Sequence, residues 1–111
     1  MQFTLRLGVL VLALSLSACA QKAELIEPAA ISTAKYEGWS CAKLAREKAF
    51  VDEALVRKSA TQDKAATNDA VMVFLIGVPT SGGGVTGEVA RLKGEQEAIR
   101  RSLIERNCRA S

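Results

Sequence analysis

Pro79-Thr80-Ser81-Gly82-Gly83-Gly84 is the stretch that decides the fold. Proline lacks the amide hydrogen that a helix interior requires, and three consecutive glycines hold no regular element, so the chain turns here. The segments on both sides repeat their apolar residues at helical spacing. The turn therefore joins two helices.

Immediately upstream, Ala70 to Val78 reads Ala-Val-Met-Val-Phe-Leu-Ile-Gly-Val, hydrocarbon throughout apart from Gly77. Before it, a helix is predicted from Ser40, whose hydroxyl suits an N-cap, with Trp39 placed to pack on Leu44 as a hydrophobic staple. Its seam is Leu44, Val51, Leu55, Gln62 and Ala66, with Lys43, Arg46, Glu47, Asp52, Glu53, Arg57 and Lys58 mostly off it. Thr67-Asn68-Asp69 lowers helix propensity and marks a bend or an end. Downstream, a second helix begins near Thr86, with Glu88 in the first turn where the dipole favours an anion. Val85, Val89, Leu92, Ile99 and Leu103 form its seam, with Gln96 on the same stripe. Steps of four and three make this a coiled-coil-like face.

The amino terminus has the form of a secretion signal. Arg6 is followed by an apolar run from Leu7 to Leu16, relieved only by Gly8 and Ser15 and too short to span a bilayer comfortably. Leu16-Ser17-Ala18-Cys19 then resembles the lipobox of bacterial lipoproteins. The resemblance implies cleavage between Ala18 and Cys19, and a thioether-linked diacylglycerol on Cys19, usually with a further acyl chain such as palmitate on its amine. Each buried methylene contributes roughly 0.8 kcal/mol, so two or three chains hold a protein on a membrane. Ala18-Cys19-Ala20 is also an A-x-A site, and cutting after Ala20 would instead release a soluble chain starting at Gln21. In lipoproteins of this type an Asp after the cysteine commonly retains the product on the inner membrane. Ala20 in that place points to the periplasmic face of the outer membrane.

Removing the signal leaves about 93 of the 111 residues, enough for one small domain. The formal charge of +3 is spread among interspersed acids and bases, too weak a balance to argue for nucleic acid. With Cys19 acylated, Cys41 and Cys108 remain in an oxidising compartment and read as one disulfide. Two free thiols or a metal pair is the alternative, although the chain has no His to complete a zinc site. A Cys41–Cys108 bond sets the helices antiparallel with partner numbers summing to about 149. Val51 then faces Ile99, and Gln62 faces Thr86 to Val89. Ala65 to Gly84 is left as an excursion beyond the paired region. Ala20 to Gly38, without a sustained period around Pro28, reads as a tether reaching about 60 Å when extended.

The expected organisation is a signal peptide at 1–18, a lipidated end and tether at 19–39 and a disulfide-closed hairpin at 40–111. The fold class is all-α, an antiparallel two-helix hairpin with a short apolar segment at its tip, after an N-terminal signal helix and a flexible tether. Gly82-x-Gly84-x-x-Gly87 matches the dinucleotide fingerprint. The fingerprint needs a parallel strand after its helix, and the few residues beyond Cys108 do not supply one. Without His no Ser or Cys nucleophile has its usual base, and Asp52-Glu53 and Glu95/Glu97 do not converge. The sequence thus points to no catalytic residue, no cofactor and no metal.

Contact residues are expected at the tip: Val71, Val73, Phe74, Leu75 and Ile76. They either fold back to complete a core, pack on a second copy or an envelope protein, or dip into a bilayer leaflet. At the other end Lys43, Arg46, Arg100, Arg101, Arg106 and Arg109 gather near the tether. There they serve solubility and the helix C-terminus, or meet anionic headgroups at roughly 1 kcal/mol each.

The order of parts, from lipobox and tether through Cys41-x-x-Leu44, Asn68-Asp69, an apolar stretch ending in Pro79, a Gly-rich turn, Arg91-Leu92-Lys93-Gly94-Glu95 and Cys108, resembles a group of small proteobacterial lipoproteins with a two-cysteine helical hairpin. The group has no agreed activity, so the resemblance implies architecture and anchoring. The expected function is a non-enzymatic envelope structural or interaction module. The alternative is a lipid-anchored binder or inhibitor of another envelope protein, with the tip as its hot spot.

Overall fold

A computed structural model describes residues 19–109 together with Gln2, Thr4 and Arg6; the signal segment and Ala18 otherwise lie outside the described residues. Two helices carry the fold. Helix α1 runs from Cys41 to Ile76, and its 36 residues make a rod about 54 Å long. Ser40 caps it as the sequence predicts, its hydroxyl accepting the Lys43 N–H at 3.1 Å. At the far end Gly77 donates its N–H to the Val73 carbonyl at 2.9 Å. Helix α2 runs from Thr86 to Glu105 and returns antiparallel along α1. No strand occurs among the described residues.

The register follows the predicted sum. Cys41 and Cys108 are joined, with Cα atoms 5.6 Å apart. Gln96 donates to Asp52 at 2.7 Å, and Val85 donates its N–H to Gln62 at 2.7 Å. Leu44, Val51, Leu92, Ala98 and Ile99 form the core between them. Closing a loop across a sequence separation of 67 restricts the unfolded chain by about 4 kcal/mol on the chain-entropy model.

Of the bend or end expected at Thr67-Asn68-Asp69, the end does not occur. The helix continues to Ile76 because the Asp69 side chain turns inward to the Thr80-Ser81 loop instead of competing for its own backbone. The larger departure is the tether. Residues 20–36 do not hang free but lie against the hairpin, through 3-10 turns at Ala23–Leu25 and Thr33–Tyr36.

Direct bonds fix this segment. Ala23 N–H donates to Asp63 at 2.8 Å, Ala29 N–H to the Ala90 carbonyl at 2.8 Å, and Lys93 reaches the carbonyls of Ala23 and Ile26 at 2.6 and 2.8 Å. Tyr36 is buried among Leu44, Val51, Leu92 and Ile99, and Trp39 stacks edge-on to it with centroids 5.1 Å apart. Ala23 and Ile26 make a second cluster with Val89.

Helix α2 therefore has two covered faces. One is the seam toward α1. On the other, Ala90, Gly94, Ala98 and Ser102 recur every four residues, small enough for an extended backbone to lie close. A Cβ built at Gly94 would run into the Ala29 carbonyl oxygen and come within 2.8 Å of Ile31. An alanine in an open helix interior ordinarily stabilises relative to glycine. Here the sign reverses: Gly94→Ala is expected to destabilise by about 1–3 kcal/mol through overpacking. Gly87→Ala, with open space around its position, serves as the control that leaves the melting temperature level or slightly higher. Thermal melts followed by circular dichroism decide it, and equal melting of the two variants would refute the docked segment.

Candidate functional site

Asp69 lies seven residues after Gln62 and continues the buried seam, and both side chains are fully buried. The Asp69 carboxylate accepts the Ala20 N–H at 2.8 Å, the Thr80 N–H at 3.1 Å, the Ser81 N–H at 2.9 Å and the Ser81 hydroxyl at 2.5 Å. The Ser81 hydroxyl and the Ala20 amide hold its pKa down, with Ser81 and Thr80 N–H adding to them against the cost of burial. It falls from 3.8 to about 2.

Two turns earlier, Gln62 donates to the carbonyls of Gln21 (2.8 Å) and Gly83 (3.1 Å) and accepts from Val85. Gly84 passes so close, with φ of +73°, that a Cβ there would lie 2.6 Å from the Gln62 oxygen. The two polar residues thus bind Ala20, Gln21 and the glycine turn to the same helix.

Cys19 sits next to Ala20 as a half-buried free thiol. This places it at the tip end of the hairpin, beside Asp69. Cys19 thus lies at the opposite end of the hairpin from the Cys41–Cys108 disulfide and the cations around it. Cys41 lies 28 positions from Asp69, about 40 Å along α1, and the docked segment spans that distance.

The predicted contact residues do not fold back into a core. They prolong α1 beyond the paired region and stay in the open: Val71, Val73, Leu75 and Ile76 are exposed, Phe74 is 89% exposed, and Val78 is exposed after the cap. No ionisable side chain occurs from Ala70 to Gly87. No helix among the described residues is long and apolar enough to cross a membrane.

The opposite end is chemically different. Beside the disulfide an open cleft of about 730 Å³ is lined by Ala42, Ala45, Ala49, Leu103 and Ile104, with Lys48, Asp52, Arg100 and Arg109 at its margin. Midway, buried Glu95 pairs with Lys35 at 2.9 Å and Arg91 at 3.0 Å. Burial opposes its ionisation, but the Lys35 ammonium and the Arg91 guanidinium outweigh that and hold its pKa below the ordinary value. No cluster of metal-ligating side chains occurs among the described residues.

No family model, curated protein or solved structure matches the chain. The site rests on its own geometry. Sequence reasoning reached the disulfide pair, left open whether the apolar tip is core or exposed, and missed Asp69, which the step of seven from Gln62 marks.

An aspartate with a depressed folded pKa contributes stability that is whole above its unfolded value and is lost as pH falls through the folded one. For Asp69 that window runs from about 4 down to about 2. Asp69→Asn removes the charge and replaces one of the two acceptor oxygens by an NH2 donor that must face N–H or O–H groups, so the melting temperature is expected to drop by several degrees at neutral pH. Melts across pH 2 to 7 should show the gap between native and variant protein closing toward pH 2. A gap independent of pH would show that the carboxylate charge is not what holds the turn.

Proposed function

We propose that the chain is a bacterial envelope lipoprotein, acylated on Cys19 and carried on the periplasmic face of the outer membrane, whose helical hairpin is a non-enzymatic structural or interaction module. The lipobox-like Leu16-Ser17-Ala18-Cys19 is the sequence support. The structural observation that carries the reading is the Ala20 N–H bond to Asp69.

Cleavage before Cys19 leaves the Cys19–Ala20 peptide intact, so the Ala20 amide still donates to the buried carboxylate. Cleavage after Ala20 would remove that donor and leave a buried anion short of a partner, which costs about 1–3 kcal/mol or more. The neighbouring Ala20 and Ala23 are buried, so the acylated residue has no slack before the fold.

The binder reading has one observation of its own, the open cleft beside Cys41–Cys108, which lies at the end far from Cys19 and would face away from the anchoring membrane. Size-exclusion of the detergent-purified protein separates the two. Self-association favours the structural module, and a monomer that captures one envelope protein favours the binder.

Mass spectrometry of the protein purified from envelope fractions tests the anchor. The expected product begins at Cys19, carries a diacylglycerol thioether and an amide-linked acyl chain, and contains one disulfide. An unmodified amino terminus at Gln21, or an uncleaved chain, would overturn the reading.

A further inference from the structure

We propose that the apolar end of α1 is seated in the lipid leaflet that receives the Cys19 acyl chains, so that the hairpin is attached at two points and stands on its tip. The inference rests on Cys19 acylation and adds to it an independent contact with lipid. Its first support is position. Ile76 lies seven residues beyond Asp69, about 10 Å along the helix, and Asp69 holds the amide adjoining Cys19 at 2.8 Å. Acyl chains leaving Cys19 therefore enter the bilayer within two helical turns of Phe74.

The second support is the distribution of the apolar side chains around the helix. At 100° per residue, Val71, Val73, Phe74, Leu75 and Ile76 point to every side of α1, and all are exposed. A protein partner covers one face of a helix. A medium that surrounds it covers all of them.

The third support is charge. Ala70 to Gly87 contains no Lys, Arg, Asp or Glu, so nothing in the tip must be stripped of a charge shell on entering hydrocarbon. Seating is shallow. The carbonyls of the last helical turn and of the glycine turn still need water or headgroup partners, which confines the tip to the outer 5–10 Å or so of the acyl boundary. Thr80 and Ser81 already donate to Asp69, so their amides make no demand on the lipid.

The experiment uses the purified, full-length-processed protein reconstituted in vesicles of phosphatidylcholine alone at high salt, which removes any contribution from the cations at the other end. A benzophenone amino acid replaces exposed Phe74 in one sample. In the control it replaces exposed Phe50, which lies 24 positions toward the disulfide.

Acyl-chain adducts at position 74 are expected to exceed those at position 50 by about ten-fold or more, because about 36 Å of helix separates the two. Equal labelling, no lipid adduct, or a crosslinked pair of protein chains at position 74 would overturn the proposal. The mass of the same preparation reports acylation separately. Where Cys19 is unmodified, the protein is added to preformed vesicles: adducts at 74 then uphold the tip contact without the anchor, and their absence overturns it.

Discussion

The buried Asp69 carboxylate is the constraint on which the arrangement of this small protein depends. A carboxylate offers about four acceptor positions. The Ala20, Thr80 and Ser81 amides and the Ser81 hydroxyl occupy them. Its charge is balanced by hydrogen bonds alone, without a cation among those partners, which is why its pKa lies far below the usual carboxylate range. Because the donors come from Ala20 and from the turn between the helices, one side chain ties both the turn and the docked segment to α1.

Two helices with one apolar stripe each make a thin core. The segment between Ala20 and Tyr36 supplies the third layer, placing Tyr36 and Ile26 against α2 and covering its small-residue face. The assembly is locked at its two ends by different chemistry. At one end a disulfide joins Cys41 to Cys108, and at the other Gln62 and Asp69 hold backbone amides and carbonyls. The apolar seam lies between the two locks, and α1 continues past the second one with Val71, Val73, Phe74, Leu75 and Ile76 exposed.

How much of this was legible depends on what kind of pattern each part leaves. Helices leave a period, so Leu44, Val51, Val89, Leu92 and Ile99 could be read as a seam, and the cysteine pair converted that seam into a register. An extended segment bonded to helices leaves none of its own. Its trace is on the partner, in Ala90, Gly94, Ala98 and Ser102 every four residues, and that spacing reads as ordinary helix composition unless a close backbone is sought. Asp69 was obscured for a related reason. In isolation Asn-Asp weakens a helix, whereas its place in the Gln62 register makes it a buried acceptor. Intrinsic propensity, worth a few tenths of a kcal/mol per residue, yields to such a network.

The docked segment also decides which end of the hairpin an anchor at Cys19 would hold near a membrane. For the cationic end to reach anionic headgroups, residues 20–36 would have to leave the hairpin. That exchange loses the bonds Ala20–Asp69, Ala23–Asp63, Ala29–Ala90 and Lys93 to Ala23 and Ile26, each worth about 1 kcal/mol. It also uncovers Ile26 and Tyr36, at roughly 1.5–3 kcal/mol for each large apolar side chain. Against this stand at most six cations at about 1 kcal/mol apiece, screened within about 8 Å at physiological salt. The docked state wins the comparison, and with it an orientation in which the uncharged tip, not the basic end, is nearest to whatever receives the amino terminus.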